Sequence, residues 1–243
     1  MGKESGLGHE LYVDGWDLSD DIGSVSRLGG GCAVLDLTGI RQLAFERRGG
    51  IRDGSIEASS WFNPTGAHAA LSTLPTTDRV VSYLAGTAPG RPAACLIGKQ
   101  PNYDPTRNAD ANLPIAFATQ GNGFGLEWGE ILAARAAHAG ATNGTPVDLA
   151  ASTSFGLQAY LHVHAFTGTS VTVVVQDSAD GSTDWQPVTG AGFTAVSAAP
   201  AAQRIQTARD ATVRRHLRIA STGTFTSATV SVIAVKNVIA AAF

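Results

Sequence analysis

The alternation of apolar and polar residues predicts a chain built mainly of strands. Short runs rich in Val, Ile, Leu and Thr are separated by turn residues at close spacing, as in sandwiches and barrels. In the first half these runs are ELYVDGWDLS (10–19), CAVLDLT (32–38), SIEASSWF (55–62), RVVSYLAG (79–86), PAACLIGKQ (92–100), LPIAFATQG (113–121) and GLEWGEIL (125–132). In SIEASSWF, Ile56, Ala58 and Ser60 share one face, and Glu57, Ser59 and Trp61 the other. Two stretches read as helical. PTGAHAALSTL (64–74) has Thr65 as N-cap, Ala67, Ala70, Leu71 and Leu74 at helical spacing, and Pro75 as a stop. LTGIRQLAFERRGG (37–50) sets Ile40, Leu43 and Phe45 before a glycine pair.

The segment from about 136 to 154 changes to small polar residues and Gly, the mark of a linker. The expected domains are therefore 1–150 and 151–243. Six strands are predicted in the second: FGLQAYLHVHAF (155–166), SVTVVVQDS (170–178), DWQPV (184–188), AQRIQTA (202–208), RRHLRIAST (214–222) and ATVSVIAVKNV (228–238). Asp-Gly at 180–181 marks a hairpin. The pattern fits a small β-sandwich.

Composition adds a hint of assembly. The chain has 243 residues, and charged residues make up only 15%, against ~25% in typical soluble domains. Burying surface against neighbours is one remedy. Net charge is −3, so bulk electrostatics do not suggest a nucleic-acid binder. The charge is uneven: residues 1–150 carry 16 acids and 11 bases, residues 151–243 carry 4 and 6. Cys32 and Cys95 lie among apolar neighbours and read as small buried hydrophobes. No secretory h-region and no apolar run of membrane-spanning length is seen, so no membrane anchor is expected.

Candidate chemistry is thin. His162 and His164, two apart on a strand, share a face with Tyr160 and Phe166. A zinc hydrolase would need a third ligand, for which Asp177, Asp180 or His216 are candidates, but nothing places them. The expectation is an aromatic-rich exposed or interface face, with no metal. The acidic loop 177–185 lacks calcium-loop spacing and reads as a turn, with Trp185 packing on the sheet. The clusters Gly29–Gly31 and Gly49–Gly50 read as flexible loops, since no phosphate-binding motif is present. No nucleophile elbow occurs, so no catalytic residue or cofactor is expected. Arg204, Arg209, Arg214, Arg215 and Arg218 read as a solvated face or subunit contact.

RRGGIRDGSIEASSWFNPTGAHAALSTLPTTDRVVSYLAGT (47–87) and KQPNYDPTRNADANLPIAFATQGNGFGLEWG (99–129) resemble the major tail tube proteins of long-tailed bacteriophages, especially those infecting actinobacteria. The part from STSFGLQAYLHVHAF onward resembles the companion domain many of them carry. The resemblance implies a tail-tube-type β-sandwich or barrel with a short helix, followed by a small outer β-sandwich. It implies a non-enzymatic virion protein, made in the host bacterial cytoplasm, that forms stacked hexameric rings. DNA and a tape measure protein would occupy the lumen without specific binding, and other tail proteins would meet the tube ends. Asp14, Asp17, Glu57, Glu127 and Glu130 are candidate lumen acids, because carboxylates repel phosphate. Candidate stacking loops are Gly29–Gly31, 41–54 and 101–112, with Gly30, Arg47, Arg48, Asp53, Asp104 and Arg107 as contacts. Tyr160, His162, His164 and Trp185 are the candidate outer surface. The rival readings are a carbohydrate-binding or host-surface module that does not polymerise, and a capsid decoration protein.

Overall fold

A computed structural model describes residues 3–240. The elements run β1 (Glu10–Val13), β2 (Trp16–Asp17), β3 (Ile22–Asp36), β4 (Arg47–Trp61), α1 (Ala67–Leu71), β5 (Arg79–Leu84), β6 (Pro92–Pro105), β7 (Pro114–Gly121) and β8 (Glu127–His138). There follow β9 (Val147–Asp148), β10 (Leu157–Ser178), β11 (Gln186–Gly192), β12 (Ala201–Gln206) and β13 (His216–Lys236). The fold is mainly β, and the strands join in one antiparallel sheet network.

The chain forms two compact units that interleave in sequence. The first comprises the residues up to Asp21, Val80–Cys95 and those from Trp128 onward; the second comprises Ile22–Arg79 and Leu96–Glu127. Residues 128–150 thus group with 151–243, whereas the composition change had put a boundary at 150.

In the first unit β10 and β13 pair along their whole length, from Leu157 opposite Lys236 to Ser178 opposite His216. Each had been expected as two strands. The interruptions are bulges instead, where glycine lets the backbones touch: a Cβ on Gly168 would lie 2.4 Å from Phe225 Cα, and one on Gly223 2.2 Å from Ser170 O. β12 and β13 flank the first half of β10. Leu157, Ala159, Leu161 and Val163 enter the apolar core with Val173, Val175, Leu217 and Ile219. Gln158, Tyr160 and His162, on the other face of β10, are also buried. The expected single strand 10–19 is a hairpin. Asp14 (φ 49°) and Gly15 (φ 85°) form its two-residue turn, the backbone such a loop demands.

The second unit is a four-stranded sheet in the order β3–β4–β7–β6. Alternation sets its faces as predicted: Ile56, Ala58 and Ser60 are buried, with Ile115 and Phe117 of β7. The short α1, within the predicted 64–74, covers this face. Tyr103 Oη lies 2.7 Å from His68 Nδ1, and Gln100 Nε2 donates to Leu71 O at 2.9 Å. The opposite face is open. It carries Ser55, Glu57 and Ser59 against Ala116, Ala118 and Gln120, with Asn102 and Asp104 of β6 beyond.

Candidate functional site

The expected helix over 37–50 does not form. β3 and β4 continue as a two-stranded ribbon, from Gly30 opposite Gly54 to Asp36 opposite Arg47, with a register shift between Cys32 and Val34. The glycine clusters and residues 47–54, expected as loops, are strand interior; 101–105 likewise belongs to β6. The tip is organised by hydrogen bonds. Leu37 N donates to Glu46 O at 2.9 Å, Glu46 N to Thr38 Oγ1 at 2.9 Å, and Thr38 N to Asp36 Oδ1 at 2.9 Å. The Thr38 bonds hold the Asp36 carboxyl below its usual range.

The side chains of this arm point into water. Ile40 and Leu43 are 103% and 104% exposed, Ile51 86%, Phe45 69% and Val34 66%, with Leu35 and Leu37 about half exposed. The apolar spacing that mimicked a helix face has no core to face. The Arg47 guanidinium stacks 4.5 Å above the Phe45 ring. A two-stranded ribbon in water is marginal by itself, and contiguous exposed apolar side chains mark an interaction site. Among the described residues, β3 pairs with β4 alone, so its outer edge is unpaired. Cys32, expected to be buried, is exposed on that strand, whereas Cys95 is buried.

The arm is seated by glycine. Leu126, buried in the loop before β8, packs against Gly30 and Gly54: a Cβ on Gly54 would fall 2.4 Å from Leu126 N, and one on Gly30 2.8 Å from Leu126 Cβ. Arg47 and Arg48 lie at the far end of β4, Asp53 beside Gly54, and exposed Asp104 near the end of β6. Arg107 follows in the loop 106–113. Of the expected contacts, the fold thus gathers Gly30, Arg47, Arg48 and Asp53 on one ribbon.

The five candidate acids are not gathered. Glu57 lies on the open face, 3.7 Å from Arg27 Nε. Glu127 is buried at the start of β8. Asp14, Asp17 and Glu130 belong to the first unit. Asp14 Oδ1 accepts Val80 N at 2.8 Å, and Asp17 accepts Ser19 N and pairs with Arg135 at 3.3 Å. Glu130 is half-buried, which raises its carboxyl against the opposing pull of Lys236.

The expected outer surface at Tyr160, His162 and His164 is instead interior. Tyr160 and His162 are wholly buried. β1, its hairpin turn and β5 lie over this face, a long-range packing that local pattern does not carry. Gly15 N donates to His162 Nδ1 at 3.2 Å, which fixes the ring proton on Nε2. Nε2 then donates to Ser82 Oγ at 2.9 Å, and that hydroxyl to Cys95 Sγ at 3.3 Å. His164 Nε2 meets Ser231 Oγ at 3.0 Å, and the Tyr12 ring packs edge-on to both imidazoles. Burial pushes His162 well below the ordinary histidine value; burial and Arg135 bring His164 down to about 4. The histidines are packing groups, neutral at pH 7.

Trp185 is half-buried, and the Arg218 guanidinium covers one face of its ring, 4.3 Å from the centroid. In the acidic loop, Arg214 bonds Asp177 at 2.7 Å and Asp184 at 2.6 Å, and Asp180 caps the backbone of Ser182 and Thr183. Arg215 pairs with Asp148, and Arg204 donates to Tyr160 Oη. Among the described residues no group of three or more His, Cys, Asp or Glu is placed to hold a metal ion. No helix among them is long and apolar enough to cross a membrane.

No protein-family model and no curated protein sequence matches the chain. Solved structures similar to it include a chain of the virion of a native gene transfer agent particle, at 11% identity and TM-score 0.43, covering 51% of this chain and 97% of that one. A chain from the tail of an empty gene transfer agent particle, with C6 symmetry, is similar at 13% identity and TM-score 0.40, covering 51% and 97%. The SPP1 Dit protein, described as a hub of the adsorption apparatus in phages infecting Gram-positive hosts, is similar at 12% identity and TM-score 0.33, covering 93% and 98%. Likeness at this level carries nothing about what this chain does.

Proposed function

We propose that this chain is a structural virion protein of a long-tailed phage, polymerising as stacked hexameric rings into the tail tube that conducts DNA. The observation that supports this is the unpaired edge of β3, carried on an arm whose apolar side chains face water. Pairing each β3 edge with a neighbouring copy would close a barrel and remove the exposed edges. The arms would then reach the next ring. The open face of the second unit would line the lumen, where Glu57 and Asp104 repel phosphate and small residues leave DNA little to grip. The tape measure protein would share that lumen, and other tail proteins would cap the tube. The reading is non-enzymatic.

The test is electron microscopy and sedimentation of the purified chain at rising concentration, beside the double variant Ile40→Asp/Leu43→Asp. Covering two such side chains is worth roughly 1.5–3 kcal/mol each, so the variant should weaken each contact by roughly 10²–10⁴-fold. Rings or tubes from the native chain, and a folded monomer with unchanged melting from the variant, are expected. A native chain that stays monomeric even with other tail components, or a variant that assembles at the native concentration, overturns the reading.

A further inference from the structure

The sequence holds two Asn-Gly pairs, at 122–123 and 143–144, and the fold treats them oppositely. Asparagine before glycine is chemically labile. The glycine nitrogen, once deprotonated, can attack the asparagine side-chain carbonyl carbon, and no Cβ obstructs the approach. In a folded chain the rate depends on whether that nitrogen is free and whether the backbone has room to turn.

Asn143 is exposed but locked. It bridges Ala220, and Gly144 N donates to Ile219 O at 2.9 Å. A Cβ on Gly144 would lie 2.8 Å from Ile219 Cγ1, so there is no room to turn. Asn122 and Gly123 are both exposed, in the turn that follows β7. Gly123 has φ 78°, and a Cβ built on it would meet nothing within 4 Å. Among the described residues the Gly123 N–H has no acceptor. The Asn122 amide donates from Nδ2 to both oxygens of Asp78, at 2.9 and 3.1 Å. That tie holds the leaving nitrogen and leaves the nucleophile free. It is exposed, so water competes for it.

We propose that Asn122 is a site of spontaneous deamidation whose isoaspartate product loosens the base of the arm. Gly123 N gives its proton to hydroxide and bonds to Asn122 Cγ. The Cγ–Nδ2 bond breaks, and the nitrogen takes a proton from water and leaves as ammonia. Water then opens the five-membered imide at one of its two carbonyls. Opening at Cγ gives aspartate. Opening at the backbone carbonyl gives isoaspartate, with one more methylene in the main chain and a free carboxylate beside it.

The segment 122–126 has no slack to absorb that methylene. Asn122 N donates to Ile97 O at 3.1 Å. A Cβ on Gly121 would lie 2.6 Å from Phe124 O, and one on Gly125 3.2 Å from Asp53 O. Leu126, four residues after Asn122, closes on Gly30 and Gly54 where the arm begins. The amide that donated to Asp78 is also gone, and a carboxylate in its place only accepts. Lys99, 2.8 Å from Asp78, holds that carboxyl below its usual range, so the new charge meets an ionised neighbour. The inference does not rest on the assembly reading.

The test is to age the full native chain and Asn122→Gln at pH 6 and pH 8. Peptide mapping by mass spectrometry reads the exchange of NH2 for OH at each site. Asn122 should react at least roughly tenfold faster than Asn143, because Gly144 N must first leave Ile219 O and the bridge must open. The rate should be higher at pH 8, since attack needs the deprotonated nitrogen. A protein isoaspartate methyltransferase with S-adenosylmethionine should label the peptide holding residue 122 of the aged native chain. It should leave that peptide of Asn122→Gln bare, because the longer side chain closes its ring far less readily. Hydrogen–deuterium exchange at residues 28–31 and 52–56 should become several-fold faster as the native chain ages and stay constant in Asn122→Gln. Equal rates at Asn122 and Asn143, no methyl label at 122, or a labelled chain whose arm base exchanges as it did before ageing each overturn the inference. None of these outcomes touches the assembly reading.

Discussion

Lowering the pH from 7 to 5 tests the packing around His162 and His164. Unfolded histidines titrate near ~6.5. In the fold His162 is held well below that value and His164 at about 4. With the folded pKa below the unfolded one, the unfolded chain takes the proton first. Stability is therefore whole above about pH 6.5 and falls below it, by about 1.4 kcal/mol per pH unit for each site. At pH 5 two such sites lose about 4 kcal/mol; discounting partly exposed His164 leaves about 3. Native domains have only roughly 5–15 kcal/mol to lose. The neighbours do not cancel the effect. Arg135 lowers His164 while Asp17 raises it, and burial keeps Tyr12 in its neutral form. Glu130 opposes, because its raised carboxyl gains a proton more readily in the fold. Asp148 and Asp180, both lowered, give up their stabilisation only below about pH 4, outside this window. Urea unfolding followed by tryptophan fluorescence at pH 7, 6 and 5 measures the slope. His164→Gln should reduce it by roughly a third to a half. A native chain equally stable at pH 7 and 5, or a slope untouched by His164→Gln, would refute the reasoning.

Two further perturbations probe the frame. Gly54→Ala should destabilise the chain by about 1–3 kcal/mol, because the new Cβ meets Leu126 N; a urea midpoint within error of the native one would be the contrary result. Asp177→Ala strips two bonds from Arg214 at a site 6% exposed and should cost about 2–4 kcal/mol. Asp184→Ala removes an exposed partner of the same arginine and should cost under about 1 kcal/mol; equal melting shifts for the two variants would contradict the burial argument.

What was legible from sequence depended on whether a residue's neighbours in space are also its neighbours along the chain. Ile56, Ala58 and Ser60 show their burial by alternation, since one sheet face is covered and the other is not. The helix at Ala67–Leu71 announces itself by spacing, though it stops at Ser72, before the proline at 75. Ile40, Leu43 and Phe45 mislead, because periodicity implies a helix only when something lies opposite. Gly168 and Gly223 break the pattern without breaking the strand, so long strands read as pairs of short ones. The turn at Asp14–Gly15 carried a local signal, Asp-Gly between apolar runs. Its consequence, a cover over His162 that is 147 residues distant along the chain, carried none. The arm's solvent-facing role is likewise a matter of what is missing around it.

The interleaving of the two units bears on how such a gene can change. The chain passes between them after Asp21, Arg79, Cys95 and Glu127. A module joined by one linker can be acquired, lost or exchanged by a single recombination. Here a cut at 150 would carry off β10 and β13 and leave behind Tyr12, Ser82 and Cys95, the residues that shut His162 away from water. A single exchange at 150 would therefore split one compact unit, so the parts of that unit on either side of the cut are inherited together.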